Sequence, residues 1–201
     1  MSAPPTATRS TETLHDLAGD VIRLLRAANQ TVGVAESLTA GLVMSALTSV
    51  PGASAAFRGG VVSYATPLKE TLLGVDAELI AREGVIHPDV AAQMAEGARR
   101  ATTPTATSLE EEEAVTTTTT TTTTTTWGIG TTGVAGPDKQ DGKPAGTVYI
   151  GIASPTGTKG LGPFMFPGSR ERVREATVME ALARLREALV DAAAANGEKA
   201  G

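Results

Sequence analysis

The chain has 201 residues, no cysteine, two histidines and a formal net charge of -5 at pH 7. This length suits one domain with a substantial hydrophobic core. Without cysteine there are no disulfides and no thiolate catalysis, and two dispersed histidines give little basis for a zinc site, so we expect no metal and no other cofactor. Aromatic residues make up 3% and no basic surplus exists, which disfavours nucleic-acid binding.

Hydrophobic periodicity predicts alternating helices and strands along the first half of the chain. Apolar residues at helical spacing between Leu14 and Ala28 predict an amphipathic helix. A short apolar strand follows at residues 32–35, and a helix is predicted directly after Ser37. The later elements are a strand at residues 60–64, helices at 66–74 and 76–82, a short strand at 85–86, and a helix at 87–100 that Pro88 opens.

The second half continues the alternation. A strand at residues 127–130 leads into the glycine-rich loop "TTGVAGPDKQDGKPAG", and strands are predicted at residues 147–153 and 164–166. Ser169 then opens a long helix that stops near Asn196. The pattern predicts an α/β fold, a three-layer αβα sandwich around a largely parallel or mixed sheet.

The domain organisation follows from the same pattern. Residues 1–10 read as a loose tail, and residues 11–197 as a single domain. The stretch at residues 101–126 contains four glutamates and an unbroken threonine run, which has no period that could bury one face. We therefore expect residues 101–126 to form an exposed insert.

The stretch "VGVAESLTAGLV" places Ser37 where the strand period changes to the helix period. Ser37 would serve there as an N-cap of the helix, its hydroxyl accepting a bond from the first turn. Alternatively, Ser37 is a nucleophile, with the free N–H groups of the helix end placed to hold an oxyanion. The junction alone leaves both interpretations open.

Six stretches of the chain together resemble the carboxy-terminal domain of the CinA family, the nicotinamide-mononucleotide deamidases. They are "AESLTAGLV", "FRGGVVSYATPLKETLLGV", "GVIHPDVAAQMAEGARR", "TTGVAGP", "GKPAGTVYIGIA" and "FPGSRERVR". Each stretch alone is weak evidence, but their shared order and spacing are highly specific. The resemblance implies the family's αβα fold and an amidohydrolase that needs no metal.

The resemblance also implies roles for particular residues. Ser37 would be the nucleophile, with Tyr64 and Lys69 as its acid/base partners. The substrate-binding residues implied by the matched stretches are Glu36, Thr39, Gly41, Thr132, Gly133, Gly136, Arg170 and Arg174. The fuller family form carries an additional amino-terminal domain resembling molybdopterin-binding proteins, and we do not transfer the pyrophosphatase-type activity of that domain.

Physical chemistry supports this assignment without deciding it. A desolvated lysine can act as the base for a serine where histidine is lacking, although Lys69 could equally be a solvated surface residue. The glycine loop offers backbone amides to a phosphate or an oxyanion, or is simply a tight turn. Arg170 and Arg174 lie at a helix N-terminus, which suits an anionic ligand, unless they pair with Glu171 and Glu175.

Together with these residues, the resemblance implies an enzyme that converts nicotinamide mononucleotide to nicotinate mononucleotide and ammonia through a serine acyl-enzyme. The alternative is a non-catalytic module of the same fold that binds nucleotides or proteins. The chain has no apolar window long enough to span a membrane, and residues 1–16 contain no apolar signal core. We expect a cytoplasmic homo-oligomer that binds neither nucleic acid nor membrane.

Overall fold

A mixed five-stranded sheet lies at the centre of the protein, in a computed structural model that describes residues 12–104 and 124–198. The strands are β1 (Val32–Glu36), β2 (Phe57–Val62), β3 (Trp127–Gly133), β4 (Thr147–Ser154) and β5 (Gly157–Met165). Their order across the sheet is β2-β1-β3-β4-β5. β1 pairs in parallel with β2 and β3, whereas β4 pairs antiparallel with β3 and β5. The carboxyl ends of β1, β2 and β3 therefore share one edge of the sheet.

Six α-helices cover the two faces of this sheet. They are α1 (Leu14–Ala27), α2 (Leu42–Thr48), α3 (Thr66–Leu73), α4 (Ala77–Glu83), α5 (Pro88–Ala101) and α6 (Arg170–Glu198). The apolar faces of α1, α2 and α6 pack with the strands in one hydrophobic core. Residues of α3, α4 and α5 form smaller apolar clusters on the opposite face. The predicted αβα sandwich around a mixed sheet is confirmed.

Helix α5 lies unusually close to the sheet because glycines face it. A Cβ atom on Gly128 would overlap the carbonyl oxygen of Ala95, and one on Gly151 would overlap that of Ala91. These strand positions thus require glycine for the close approach of the helix backbone. The contact fixes α5 across β1, β3, β4 and β5.

Several local predictions were wrong. The strands predicted at residues 60–64 and 164–166 instead span Phe57–Val62 and Gly157–Met165. The helix after Ser37 begins only at Leu42, because Ala40 and Gly41 adopt positive φ angles of 49° and 97° that interrupt a helix. Residues 85–86 form no strand, since side chains bind both polar backbone groups of Val85: Asp141 accepts from its N–H at 2.8 Å and Thr132 donates to its carbonyl at 2.7 Å. The glycine-rich loop starts later than predicted, because β3 extends through Gly133.

The predicted exposed insert at residues 101–126 is packed at both of its edges. Ala101 ends α5, and Thr125 is 0% exposed. The hydroxyl of Thr125 donates to the carbonyl of Thr102 at 2.9 Å, and its amide donates to the hydroxyl of Thr103 at 3.0 Å. These bonds hold the two edges side by side. Residues 105–123 lie outside the described residues, as does the predicted tail at residues 1–10.

We expect removal of residues 105–123, with a short glycine linker joining the two edges, to leave the free energy of unfolding nearly unchanged. The edges already lie in contact, and each doubling of loop length changes the free energy by only about 0.6 kcal/mol. Urea denaturation of the two proteins measures the difference. Removal of residues 102–126 is the matched control and should be clearly destabilising, because it also deletes buried Thr125. A shorter deletion that fails to fold would show that residues 105–123 are structural.

Candidate active site

The candidate site lies where the three parallel strands end. Ser37 follows β1 directly, and its amide donates to the carbonyl of Thr131 in β3 at 3.1 Å. Ser63 follows β2, and its amide donates to the carbonyl of Glu36 at 2.9 Å. These backbone bonds extend the sheet past the strand ends, so Ser37 and Ser63 are held by the rigid part of the fold.

A buried carboxylate organises the turn that carries Ser37. Glu36 is 0% exposed, and its side chain accepts bonds from the amides of Gly41 at 2.8 Å, Val43 at 3.2 Å and Met44 at 2.9 Å. The first amides of α2 are therefore occupied by Glu36. Two interpretations from sequence are corrected: Ser37 is not the N-cap, which is Gly41, and this helix end is not free to hold an oxyanion.

The hydroxyl of Ser37 contacts a buried lysine. Lys69 Nζ lies 3.1 Å from Ser37 Oγ, and it donates to the carbonyl oxygen of Ser63 at 2.7 Å. Lys69 is only 1% exposed although it lies on the short helix α3. The alternative of a solvated surface lysine is thereby contradicted. Ser37 and Lys69 form a hydrogen-bonded pair, which we call the dyad.

Burial changes the acid strength of this lysine. Desolvation disfavours the charged ammonium and lowers the pKa of Lys69 from an ordinary value of 10.5 to about 8. Among the described residues no carboxylate forms an ion pair with Lys69 that would restore the charged form. About a tenth of the lysine is therefore neutral at pH 7, and neutral amine is the form that can accept a proton.

Tyr64 and Arg170 meet at the mouth of the site rather than at the dyad. The Arg170 guanidinium donates to the Tyr64 hydroxyl at 2.6 Å and to the carbonyl of Gly136 at 3.0 Å. Tyr64 is 56% exposed and lines the cleft at its surface. The contact joins the segment after β2, the loop after β3 and the start of α6.

A polar cleft of about 400 Å³ opens in front of the dyad. Besides the dyad, its walls include Tyr64, Arg170, Gly133 at the end of β3 and Gly136 of the glycine-rich loop. Within the described chain, the backbone amides of Leu38, Ala135 and Gly136 donate to no protein acceptor. All three residues line the cleft, so unpaired N–H groups are present on two of its sides.

Comparison with known proteins identifies the family to which the chain belongs. The sequence profile of the CinA C-terminal domain matches residues 14–109 and 103–189, which is most of the chain. The chain belongs to the CinA C-terminal domain family. A "CinA-like protein" of Frankia casuarinae is 44% identical over 173 residues, covering 86% of this chain and 35% of that protein. A "CinA-like protein" of Thermosynechococcus vestitus is 43% identical over 177 residues, covering 87% of this chain and 38% of that protein.

Solved structures show the same CinA fold. The competence damage-inducible protein A of Klebsiella pneumoniae aligns with a TM-score of 0.73 and 28% identity, covering 89% of this chain and 98% of that one. The competence/damage inducible protein CihA of Agrobacterium tumefaciens aligns with a TM-score of 0.72 and 28% identity, covering 94% and 99%. Because the chain spans little more than a third of the curated relatives named above, their whole-protein activities are not carried over to it.

Several predicted substrate-binding residues lie behind the cleft of this CinA domain. The hydroxyls of Thr39 and Thr131 bond to each other at 2.8 Å, and Thr132 donates to the carbonyl of Val85. Arg174 donates to the carbonyls of Leu38 and Thr39, both at 3.0 Å. These contacts, like those of Glu36 to Gly41, shape the turn at Ser37 and the cleft wall. Thr39, Gly41, Thr132, Arg174 and Glu36 do not line the cleft.

Sequence reasoning missed several residues in and beside the cleft, among them three from the glycine-rich loop and Ser63, which contacts Lys69. Asp138, Lys139 and Gln140 line the cleft from the glycine-rich loop, and they directly follow the matched stretch "TTGVAGP". Because they directly follow a matched motif, the sequence could have identified them as candidate cleft residues. Ser63 has no comparable signal, because a serine at a strand end fits many roles.

The residues that the structure describes contain neither a candidate metal-ion cluster nor a candidate membrane span. No group of three or more histidine, aspartate or glutamate side chains is arranged to hold a metal ion in this part of the chain. In the same residues, none of the helices has both the length and the apolar composition that a membrane span requires.

Proposed function

We propose that this CinA domain is an amidohydrolase that converts nicotinamide mononucleotide to nicotinate mononucleotide and ammonia. The observation that best supports this proposal is the dyad. Within the described chain, the only hydrogen bond of the Ser37 hydroxyl is with Lys69, a buried lysine whose pKa is lowered. A serine needs a base to become nucleophilic at neutral pH, and Lys69 is in direct contact with it. The family resemblance supports the choice of substrate.

In the proposed first step, neutral Lys69 takes the proton of Ser37 as Oγ attacks the carboxamide carbon of the substrate. The negative charge that develops on the carboxamide oxygen would be held by the unpaired amide of Leu38 or by those of Ala135 and Gly136. The resulting Lys69 ammonium returns the proton to the leaving nitrogen, and ammonia departs. Ser37 is left as the nicotinoyl ester.

In the second step, neutral Lys69 removes a proton from water, which attacks the ester, and Ser37 is regenerated. Tyr64 is not required as a relay, since Lys69 and Ser37 are directly hydrogen-bonded and the Tyr64 hydroxyl is bonded to Arg170. We assign Tyr64 to the cleft mouth, where it orients Arg170. This refines the sequence hypothesis that Tyr64 takes part in acid/base catalysis.

The substrate phosphate is proposed to bind at Arg170 beside the glycine-rich loop. The guanidinium already faces the cleft, and its two present partners are neutral oxygen atoms that a phosphate could replace. The pyridinium charge of the nucleotide withdraws electrons from the carboxamide and makes its carbon easier to attack.

The direct test is ammonia release from nicotinamide mononucleotide, nicotinamide riboside and free nicotinamide. We expect the mononucleotide to be the best substrate, measured as kcat/KM. If the mononucleotide binds and no ammonia is released, the alternative of a binding module is correct. If free nicotinamide is the better substrate, the nucleotide assignment is wrong.

We expect Arg170→Ala to weaken binding of the mononucleotide by about tenfold or more and to affect the riboside much less. A charge-assisted hydrogen bond contributes about 1.5 to 3 kcal/mol, and only the mononucleotide carries the phosphate. Isothermal titration of both ligands gives the two ratios. Arg172→Ala, two residues along the same helix and outside the cleft, is the matched control. Equal weakening of both ligands would remove Arg170 from the phosphate site.

A further inference from the structure

Ser63 carries a buried hydroxyl that has no partner. The residue is 0% exposed, and its Oγ forms no hydrogen bond within the described chain. The backbone of the same residue is fully used: its amide donates to Glu36, and its carbonyl accepts from Lys69 Nζ at 2.7 Å. Buried hydroxyls are normally paired, so an exception beside the dyad needs a physical explanation.

The number of hydrogen bonds that Lys69 can donate explains the unpaired hydroxyl of Ser63. Lys69 Nζ donates to the Ser63 carbonyl and to Ser37 Oγ, and in the neutral amine the second bond can reverse so that the lone pair of Nζ accepts from the Ser37 hydroxyl. The ammonium formed by proton transfer has three N–H donors, for which the described chain provides only those two acceptors. Lys69 is only 1% exposed, and an ammonium with an unpaired donor is unfavourable at so buried a position.

We propose that the Ser63 hydroxyl is the third acceptor of the Lys69 ammonium and turns toward Nζ whenever the lysine is protonated, as it is after taking the proton of Ser37. The hydroxyl and the carbonyl that already binds Nζ belong to one residue, so rotation about a single side-chain bond moves the oxygen without moving the backbone. The step transfers one proton from Ser37 Oγ to Lys69 Nζ, and Ser63 gains or loses none. Ser63 is thus a positioning residue that stabilises the charged form of the base. Its effect on turnover rests on the proposed function, whereas its effect on Lys69 does not.

The other charged and titratable groups on the elements around the dyad are the same in the wild type and in any Ser63 variant. They come from the end of β1, the segment around α3, the loop after β3, and helices α5 and α6. They are Glu36, Tyr64, Glu70, Asp138, Lys139, Arg100 and Arg170. Their influence on Lys69 therefore cancels when the two proteins are compared.

The test is to monitor the titration of Lys69 in Ser63→Ala by NMR of protein labelled at its lysine side chains. The signal of Lys69 is identified by its absence in Lys69→Met. We expect the pKa of Lys69 to fall below its wild-type value by about 1, because the ammonium loses a hydrogen bond. The acidic limb of kcat/KM for nicotinamide mononucleotide should move to lower pH by the same amount, and the rate at high pH should fall. A purely structural role would lower the rate at every pH without moving that limb.

Two variants complete the design. Ser63→Cys keeps the size of the side chain but offers only a weak acceptor, and it should resemble Ser63→Ala. Ser49→Ala is the matched control, because the Ser49 hydroxyl bonds to the carbonyl of Ala46 outside the cleft, and it should leave the Lys69 titration unchanged. An unchanged or raised Lys69 pKa in both Ser63 variants would overturn the inference. A lowered pKa in a protein whose wild type releases no ammonia would uphold it and refute only the proposed function.

Discussion

Ser37→Ala is expected to reduce kcat for the mononucleotide by about a thousandfold or more while the substrate still binds. The substitution removes the atom that forms the acyl ester, so its effect belongs to the reaction and not to the bound ground state. Stability should change little, because the hydroxyl has one hydrogen bond in the described chain and does not cap α2. Steady-state ammonia release together with a binding isotherm separates the two effects.

Ser45→Ala is the matched control for this substitution. Ser45 is an exposed serine of α2, close to Ser37 in sequence but outside the cleft. It should retain full turnover. A Ser37→Ala protein with near wild-type kcat would exclude Ser37 as the nucleophile.

Lys69→Met is expected to lower kcat by about 100-fold to 10,000-fold, the range associated with loss of a general base. The same substitution should change stability in a manner that depends on pH. Burial lowers the pKa of Lys69 from 10.5 to about 8, so between these values the unfolded chain holds a proton that the folded protein has lost. Wild-type stability therefore rises as pH increases from about 8 to 10.5, because the unfolded state binds more protons in that window.

Below pH 8 the buried Lys69 ammonium lowers the free energy of unfolding by about 3 kcal/mol, which follows from the difference between the unfolded and folded pKa values of Lys69. Methionine is of similar length and carries no such cost. Lys69→Met should therefore gain stability relative to wild type at pH 7 and lose that advantage near pH 10.5, as measured by urea denaturation at each pH. Lys159→Met, which changes an exposed lysine of β5, should show no such dependence. A pH-independent difference for Lys69→Met would mean that Lys69 titrates normally.

Much of the fold could be predicted because most elements are marked locally, either by the spacing of their apolar residues or by proline and glycine at their ends. The apolar face of α6 contains Leu182, Leu185 and Leu189 at helical spacing, and all three are buried. Pro88 and Gly74 stand at the start of α5 and the end of α3, as their backbone preferences predict. Such signals lie within a few residues of the element that they define.

The errors occurred where residues distant in sequence determine the backbone. Val85 is kept out of the sheet by Asp141 and Thr132, and neither can be assigned to it from the pattern around residue 85. The delayed start of α2 is an exception, because it follows from the positive φ angles of Ala40 and Gly41 within the turn itself. Thr125 looked like part of a featureless threonine run, yet it packs against the end of α5.

The candidate site was predictable in its chemistry more than in its geometry. Ser37, Lys69, Arg170 and the glycine-rich loop do meet at one cleft, as the strand-end positions and the family resemblance implied. The buried position of Lys69 could not be read from a short helix with exposed neighbours. Neither could the bond from Lys69 to the carbonyl of Ser63, which is made between α3 and the segment that joins β2 to it.

The most direct test of the account is mass spectrometry of the intact protein and its peptides after rapid acid quench during turnover of the mononucleotide. The proposed mechanism predicts a nicotinoyl adduct on the peptide that contains Ser37, formed within one turnover and lost at the rate of product formation. The adduct should not form in Ser37→Ala and should form slowly in Lys69→Met. Rapid ammonia release with no adduct at any time, or an adduct on another residue, would contradict the assignment of Ser37 as the nucleophile.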